Sequence, residues 1–135
     1  MTNHPPQVKQ YMTPSPHTVR SDLPLAEAHR IMREHQIRHL PVLSGGELCG
    51  IVSQRDLHLI ETLQDVDPEQ VPVEDAMSQD VYTVSPDAPL QQVAAHMAQH
   101  RIGSAVVVDG MKVVGIFTSI DALAALADLL ARQGS

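Results

Sequence analysis

Tryptophan is absent, and two tyrosines and one phenylalanine are the only Phe, Trp or Tyr residues among 135. So thin a supply excludes a stacking platform for single-stranded nucleic acid. A single cysteine, Cys49, excludes a disulfide framework and a cysteine-built zinc site within one chain. Basic residues are scarce too: nine Lys and Arg against sixteen Asp and Glu leave a formal net charge of −7. An acidic chain lacks the basic face by which dedicated DNA or RNA binders hold the phosphate backbone. No apolar run approaches the ~18 residues of a membrane span. The start, Met1-Thr2-Asn3-His4-Pro5-Pro6, lacks the charged and apolar regions of a signal peptide. The expectation is a soluble, cytoplasmic protein with no membrane or nucleic-acid partner. Hydrophobic residues at 43% and charged residues at 19% supply enough apolar material for a core. The length suits one compact domain of roughly 100–150 residues, or two small units.

What the chain does have is an internal repeat. Shifted by about 65 residues it matches itself without gaps. Val8 falls on Val73, Met12 on Met77, and Thr18-Val19 on Thr83-Val84. Asp22, Pro24 and Leu25 fall on Asp87, Pro89 and Leu90, and Met32, His35 and Ile37 on Met97, His100 and Ile102. Val42, Gly45, Gly50-Ile51 and Asp56 meet Val107, Gly110, Gly115-Ile116 and Asp121. About 15 of roughly 50 aligned positions are identical, in one register.

Both copies read as strand, helix, strand, strand, helix. The first strand is His17–Val19 in one copy and Val81–Val84 in the other. Asp22 and Asp87 are expected to cap the following helix, with Pro24 and Pro89 in its first turn. Leu25, Ala28 and Met32, and Leu90, Val93, Ala94 and Met97, make one apolar stripe each. Glycine turns at Ser44–Glu47 and Asp109-Gly110 join the next two apolar runs into hairpins. The last helices begin near Asp56, with Leu57, Ile60 and Leu63, and near Asp121, with Leu123, Leu126, Leu129 and Leu130. The polar stretch before Val73, with two prolines, reads as a linker.

Two runs are more specific: Gly50-Ile51-Val52-Ser53-Gln54-Arg55-Asp56 and Gly115-Ile116-Phe117-Thr118-Ser119-Ile120-Asp121. With Ile37-Arg38-His39-Leu40-Pro41-Val42 and the repeat, the chain resembles a pair of CBS domains, the module named after cystathionine β-synthase. The resemblance covers about residues 8 to 130. It implies an α/β fold of two β-α-β-β-α repeats, related by a pseudo-twofold axis and packed through their sheets. The expected layout is an N-terminal extension over 1–7, repeat 1 over 8–64, a linker over 65–72, repeat 2 over 73–131 and a tail over 132–135. With no catalytic domain appended, the chain is similar to stand-alone regulatory pairs rather than to an enzyme. The resemblance further implies a flat homodimer, with the leucine-rich last helix and the second helix of each repeat as contacts.

In the Ser/Thr–x–x–Asp runs a hydroxyl stands where a strand meets a helix, beside amides that favour an anion. A carboxylate three residues on can take both hydroxyls of a ribose. Ser53 and Thr118 can equally serve as helix caps, and the two roles are compatible. By resemblance, an adenosine-type ligand lies in a cleft between repeats. Site A draws Thr118 and Asp121 together with Thr18, Val19, Ile37, Arg38, His39 and Pro41. Site B draws Ser53 and Asp56 together with Thr83, Val84, Ile102, Gly103, Ser104 and Ala105. Thr18 and Thr83 would offer backbone groups to the base. Arg38 can fork onto phosphate oxygens and His39 can add a pH-dependent charge, so site A is expected to prefer AMP, ADP or ATP. The alternative for this pair is a solvated rim or a dimer contact. Site B has no cation there and suits S-adenosylmethionine-like ligands or none.

His96 and His100 have the four-residue spacing of a ligand pair but lack the Glu of an H-E-x-x-H motif. Neither a nucleophile elbow nor a phosphate loop occurs. Cys49 reads as a small buried hydrophobe. The expected function is adenine-nucleotide or energy sensing, with no catalytic cofactor and an unidentified regulated partner. A structural dimerisation module with vestigial pockets and a histidine-based metal or phospho-ligand enzyme are the rivals.

Overall fold

The computed structural model describes residues 4–134. The first three residues of the expected N-terminal extension and the last of the expected tail lie outside the described residues. The chain divides into two compact units. A continuous unit runs from His17 to Val81, and a split unit joins the stretch up to Pro16 to the stretch from Tyr82 onward. The compact units therefore do not coincide with the sequence repeats: each lead-in segment, residues 8–16 or 73–81, belongs to the unit built by the other repeat.

In the continuous unit β2 (Val19–Arg20) is followed by α1 (Leu25–His35), β3 (His39–Ser44), β4 (Glu47–Ser53) and α2 (Gln54–Glu61). β2 runs parallel to β3, and β3 pairs antiparallel with β4, in the order β2-β3-β4. The two-residue turn Gly45-Gly46 has positive φ at both positions (59° and 84°), which favours glycine. The split unit repeats the path with β5 (Thr83–Val84), α3 (Leu90–His100), β6 (Ser104–Asp109), β7 (Lys112–Thr118) and α4 (Ser119–Gln133). Here β1 (Thr13–Pro14) adds an antiparallel strand on β7, giving the order β1-β7-β6-β5. In the continuous unit the matching contact is a single bridge between Ile51 and Ser78.

The residues just ahead of the lead-in segments explain the helix starts. Asp22 and Asp87 do not cap α1 and α3: Pro24 and Pro89 hold the cap positions with no side-chain bond. The amide of Leu25 bonds Val71 O and that of Leu90 bonds Pro6 O, both at 2.9 Å. Ala26 N–H bonds Pro68 O at 3.0 Å. Backbone carbonyls thus satisfy helix-start donors, and the two aspartates pair instead with Arg20 (3.3 Å) and Lys9 (2.9 Å).

One core gathers Val19, Leu25, Ala28, Met32, Leu40, Val42, Val52, Leu57 and, from the lead-in, Val73. The other gathers Val8, Leu90, Val93, Met97, Ala105, Val107, Phe117 and Ala125. Each lead-in therefore contributes one fully buried valine, worth about 1.5–3 kcal/mol by transfer. Leu63 lies beyond the end of α2 and is exposed. On α4, Ala125 is buried and Ala122 and Leu129 pack on the core, while Ile120, Leu123, Leu126 and Leu130 are 53–68% exposed.

Candidate functional site

Each unit gathers half of the expected site residues at the junction where its hairpin ends and its last helix begins. In the continuous unit His39 stands opposite Ser53 across β3 and β4, and Gln54 N–H bonds Arg38 O at 2.8 Å. Ser53 caps α2: its Oγ accepts Asp56 N–H at 3.1 Å, and Asp56 Oδ2 accepts Ser53 N–H at 2.8 Å. This reciprocal box holds the carboxylate at the helix start. Val19 and Pro41 are buried, Ile37 is half-buried, and Thr18 and Arg38 are exposed. His39 is half-buried. Burial holds its imidazole below the ordinary value, Arg38 adds to this, and Asp56 opposes it. The ring is therefore neutral at neutral pH and charges only in more acidic conditions.

The split unit builds the same junction from Thr118 and Asp121. Thr118 N–H donates to Asp121 Oδ2 at 2.9 Å, and Asp121 N–H donates to Thr118 Oγ1 at 3.4 Å. Ser104 stands opposite Thr118, and Ser119 N–H bonds Gly103 O at 3.1 Å. Ala105 is buried, and Val84, Ile102, Gly103 and Ser104 are half-buried. The residues of site A and of site B each come from both units, with Thr118 and Asp121 in the split unit and the rest of site A in the continuous one.

The first strands of the two repeats' paths, β2 and β5, differ. Val106 N–H bonds Tyr82 O at 2.9 Å, and Thr83 pairs with Val106 on the edge strand β5. The matching position in the continuous unit is Pro41, which has no N–H to give. Pairing there starts one residue later, at Val19 with Val42, so Thr18 lies outside the strand expected over His17–Val19.

Several neighbours of the junction were not legible from the repeat alone. Thr13 Oγ1 donates to Asp121 Oδ1 at 3.1 Å. Met77 lies against Gly50, where an added Cβ would stand 2.5 Å from its sulfur and 2.8 Å from Ser78 O. Met12 lies likewise against Gly115. The glycines of the two specific runs thus admit the lead-in segments. The signal available for Thr13 was that its repeat partner, Ser78, is also a hydroxyl residue.

The histidines make ring contacts. His17 stacks on His35 at 3.9 Å, and His96 lies between Tyr82 (4.0 Å) and His100 (4.2 Å). Among the described residues no group of three or more His, Cys, Asp or Glu is placed to hold a metal ion. Cys49 is half-buried with its sulfur 3.9 Å from that of Met77, and burial, then Glu74, pushes its thiol pKa up. Among the described residues no helix is long and apolar enough to cross a membrane.

Comparison with known proteins agrees with this architecture. The CBS domain family matches residues 8–59 and 73–128. The CBS domain-containing protein YhcV of Bacillus subtilis is 34% identical over 128 residues, which is 95% of this chain and 86% of that protein. The AcuB protein of Vibrio cholerae superposes with a TM-score of 0.87 at 34% identity, covering 97% of each chain. The CBS domain pair of protein MJ0100, solved in complex with 5′-methylthioadenosine and S-adenosyl-L-methionine, superposes with a TM-score of 0.83 at 31% identity, covering 93% of this chain and 98% of that one. Two longer enzymes among the relatives are matched over only 21–22% of their length, so the likeness is to a module within them. With two matched repeats and two capped Ser/Thr–x–x–Asp junctions, this chain belongs to the CBS domain family and has the fold of a CBS domain pair.

Proposed function

We propose that the chain is a regulatory ligand-sensing module, not a catalyst, that takes adenine nucleotides at the two junctions and transmits occupancy to a protein partner. The observation that carries this reading is that both junctions keep a carboxylate in a reciprocal cap at a helix start. A carboxylate so placed offers two oxygens to a ribose diol, and the surrounding strands supply apolar neighbours for a base. In this reading site A (Thr18, Val19, Ile37, Arg38, His39, Pro41, Thr118, Asp121) holds AMP, ADP or ATP, with Arg38 on the phosphates. Site B (Ser53, Asp56, Thr83, Val84, Ile102, Gly103, Ser104, Ala105) lacks a cation and suits an uncharged or sulfonium adenosyl group. The complex of the MJ0100 pair supports an S-adenosylmethionine-type ligand as the second reading. Two copies meet through the exposed row Ile120, Leu123, Leu126 and Leu130 of α4, and the protein works in the cytoplasm. A ligand transmits a signal only by binding one arrangement more tightly than another.

Titration calorimetry against AMP, ADP, ATP and S-adenosylmethionine tests the reading. Asp56→Asn and Asp121→Asn are the variants of choice, because asparagine can still accept the cap bond. Micromolar binding that falls at least tenfold in one or both variants is the expected result. No heat and no change in melting temperature with any ligand would point instead to a structural dimerisation module.

A further inference from the structure

Asp56 and Asp121 hold the same repeat position, yet their carboxylates are not equally occupied. Asp56 Oδ2 accepts the Ser53 N–H, and among the described residues Oδ1 takes no hydrogen bond. Asp121 Oδ2 accepts Thr118 N–H at 2.9 Å and Thr118 Oγ1 at 3.2 Å. Thr13 Oγ1 then reaches both oxygens, at 3.1 Å from Oδ1 and 3.4 Å from Oδ2. The backbone does not cause this difference. Thr13 stands opposite Ile116 and Ser78 opposite Ile51, which are equivalent places in the two sheets.

The residue two positions on decides where each hydroxyl turns. Asp80 N–H closes a local turn on Ser78 Oγ at 3.2 Å. Ser15 N–H is committed to Val114 O of β7 at 3.1 Å, one residue past the end of β1. Thr13 has no such local donor, and its hydroxyl donates to Asp121. A carboxylate has about four lone-pair sites and a vicinal diol needs two of them; Thr118 N–H and Oγ1 take both on Oδ2, which leaves the two on Oδ1, one of them engaged by Thr13. On Asp121 the oxygen left over from the cap is the one Thr13 engages.

We propose that Thr13 is a specificity-determining residue: its hydroxyl stands in for a ligand hydroxyl on Asp121 and must give way before a vicinal diol binds there. The proposal rests on the reading above that these carboxylates hold a ribose. It makes the two junctions unequal toward the same sugar, with Asp121 restrained and Asp56 open. A ligand at Asp121 must exchange a bond to a charged acceptor rather than simply add one.

Calorimetry with AMP and S-adenosylmethionine on Thr13→Val tests it, with 2′,3′-dideoxy-AMP as the control lacking the diol. Valine keeps the β-branched shape and removes the O–H. Diol-bearing ligand is expected to bind about three- to tenfold more tightly at the Asp121-dependent site, with dideoxy-AMP unchanged. Adding Asp121→Asn removes the gain, Thr13→Ser retains the hydroxyl and stays at the wild-type level, and Ser78→Ala shifts nothing. Thr13→Ala provides the same readout should the valine variant not fold. Unchanged or weaker diol binding in a folded Thr13 variant overturns the proposal and leaves the sensing function standing. Absence of binding by both probes in wild type and variants alike overturns the sensing function, and this proposal with it.

Discussion

Where the continuous unit fills its core with Leu40, Val52 and Ile60, the split unit places Ala105, Phe117 and Ala125 at the same repeat positions. Leu40, Val52, Ala105 and Phe117 are fully buried. One large ring between two alanines replaces three medium side chains, so bulk moves between positions while the path of the chain stays the same. A core constrains summed volume and shape more than the identity at one place. That freedom is why two sequences with limited identity build the same unit.

The outward positions of the last helices diverge further. Arg55, His58 and Glu61 of α2 stand where α4 has Ile120, Leu123 and Leu126. Glu61 reaches back to His29 Nδ1 of α1 at 3.0 Å, a polar tie between the helices. The matching pair in the split unit is Ala94 and Leu126, which cannot make one. The two units therefore present unlike surfaces from one scaffold. The junction ends show the same pattern, with Arg38-His39 against Gly103-Ser104 and Pro41 against Val106.

The comparison of cores can be broken outright. Phe117→Val alone leaves a void beside two alanines and is expected to cost about 2–3 kcal/mol. Importing the other unit's set, Ala105→Leu, Phe117→Val and Ala125→Ile together, is expected to return stability to within about 1.5 kcal/mol of wild type. Urea denaturation measures both, and a triple variant no better than the single one would show that the two cores are not interchangeable. The surface comparison predicts a smaller change. Leu126→Glu gives α4 the residue that α2 already has, and light scattering should show the proposed dimer weakened at least tenfold at little cost to folding. An unaltered mass would move the contact off α4.

The smallest effect is a pH dependence confined to one unit. Burial keeps the folded-state pKa of His39 below the ordinary 6.5, so the unfolded chain binds that proton first as pH falls. The stability it contributes is complete above about 6.5 and is lost as pH falls from there through the folded value. His39→Gln removes this contribution, and urea midpoints taken between about pH 7.5 and pH 5 should fall less steeply than in wild type. Ser104 holds the matching place in the split unit, so His39→Ser, which copies it, should flatten the slope equally.

The repeat, the element order and both capped junctions were legible because each depends on local spacing. A Ser or Thr three residues before an Asp can box a helix start whatever surrounds it. The helix starts at Pro24 and Pro89 were not legible in the same way. Asp22 and Asp87 have the side chains a cap requires, but carbonyls of Val71 and Pro6 reach the first amides. The shortened β2 was written in Pro41, yet its meaning depended on which residue would lie beside it.

By itself the sequence determined two copies of a β-α-β-β-α path, the apolar stripes that bury one face of each helix, and the hydroxyl–carboxylate runs at the start of α2 and α4. These follow from periodicity and from bonds spanning three or four residues. Tertiary structure alone decided that residues 8–16 join the unit built by the second repeat and 73–81 the unit built by the first. It alone decided that Thr13 meets Asp121 across 108 residues of chain. Both are pairings between distant strands and side chains, and a backbone amide or hydroxyl carries no mark in the sequence of the partner that folding brings to it.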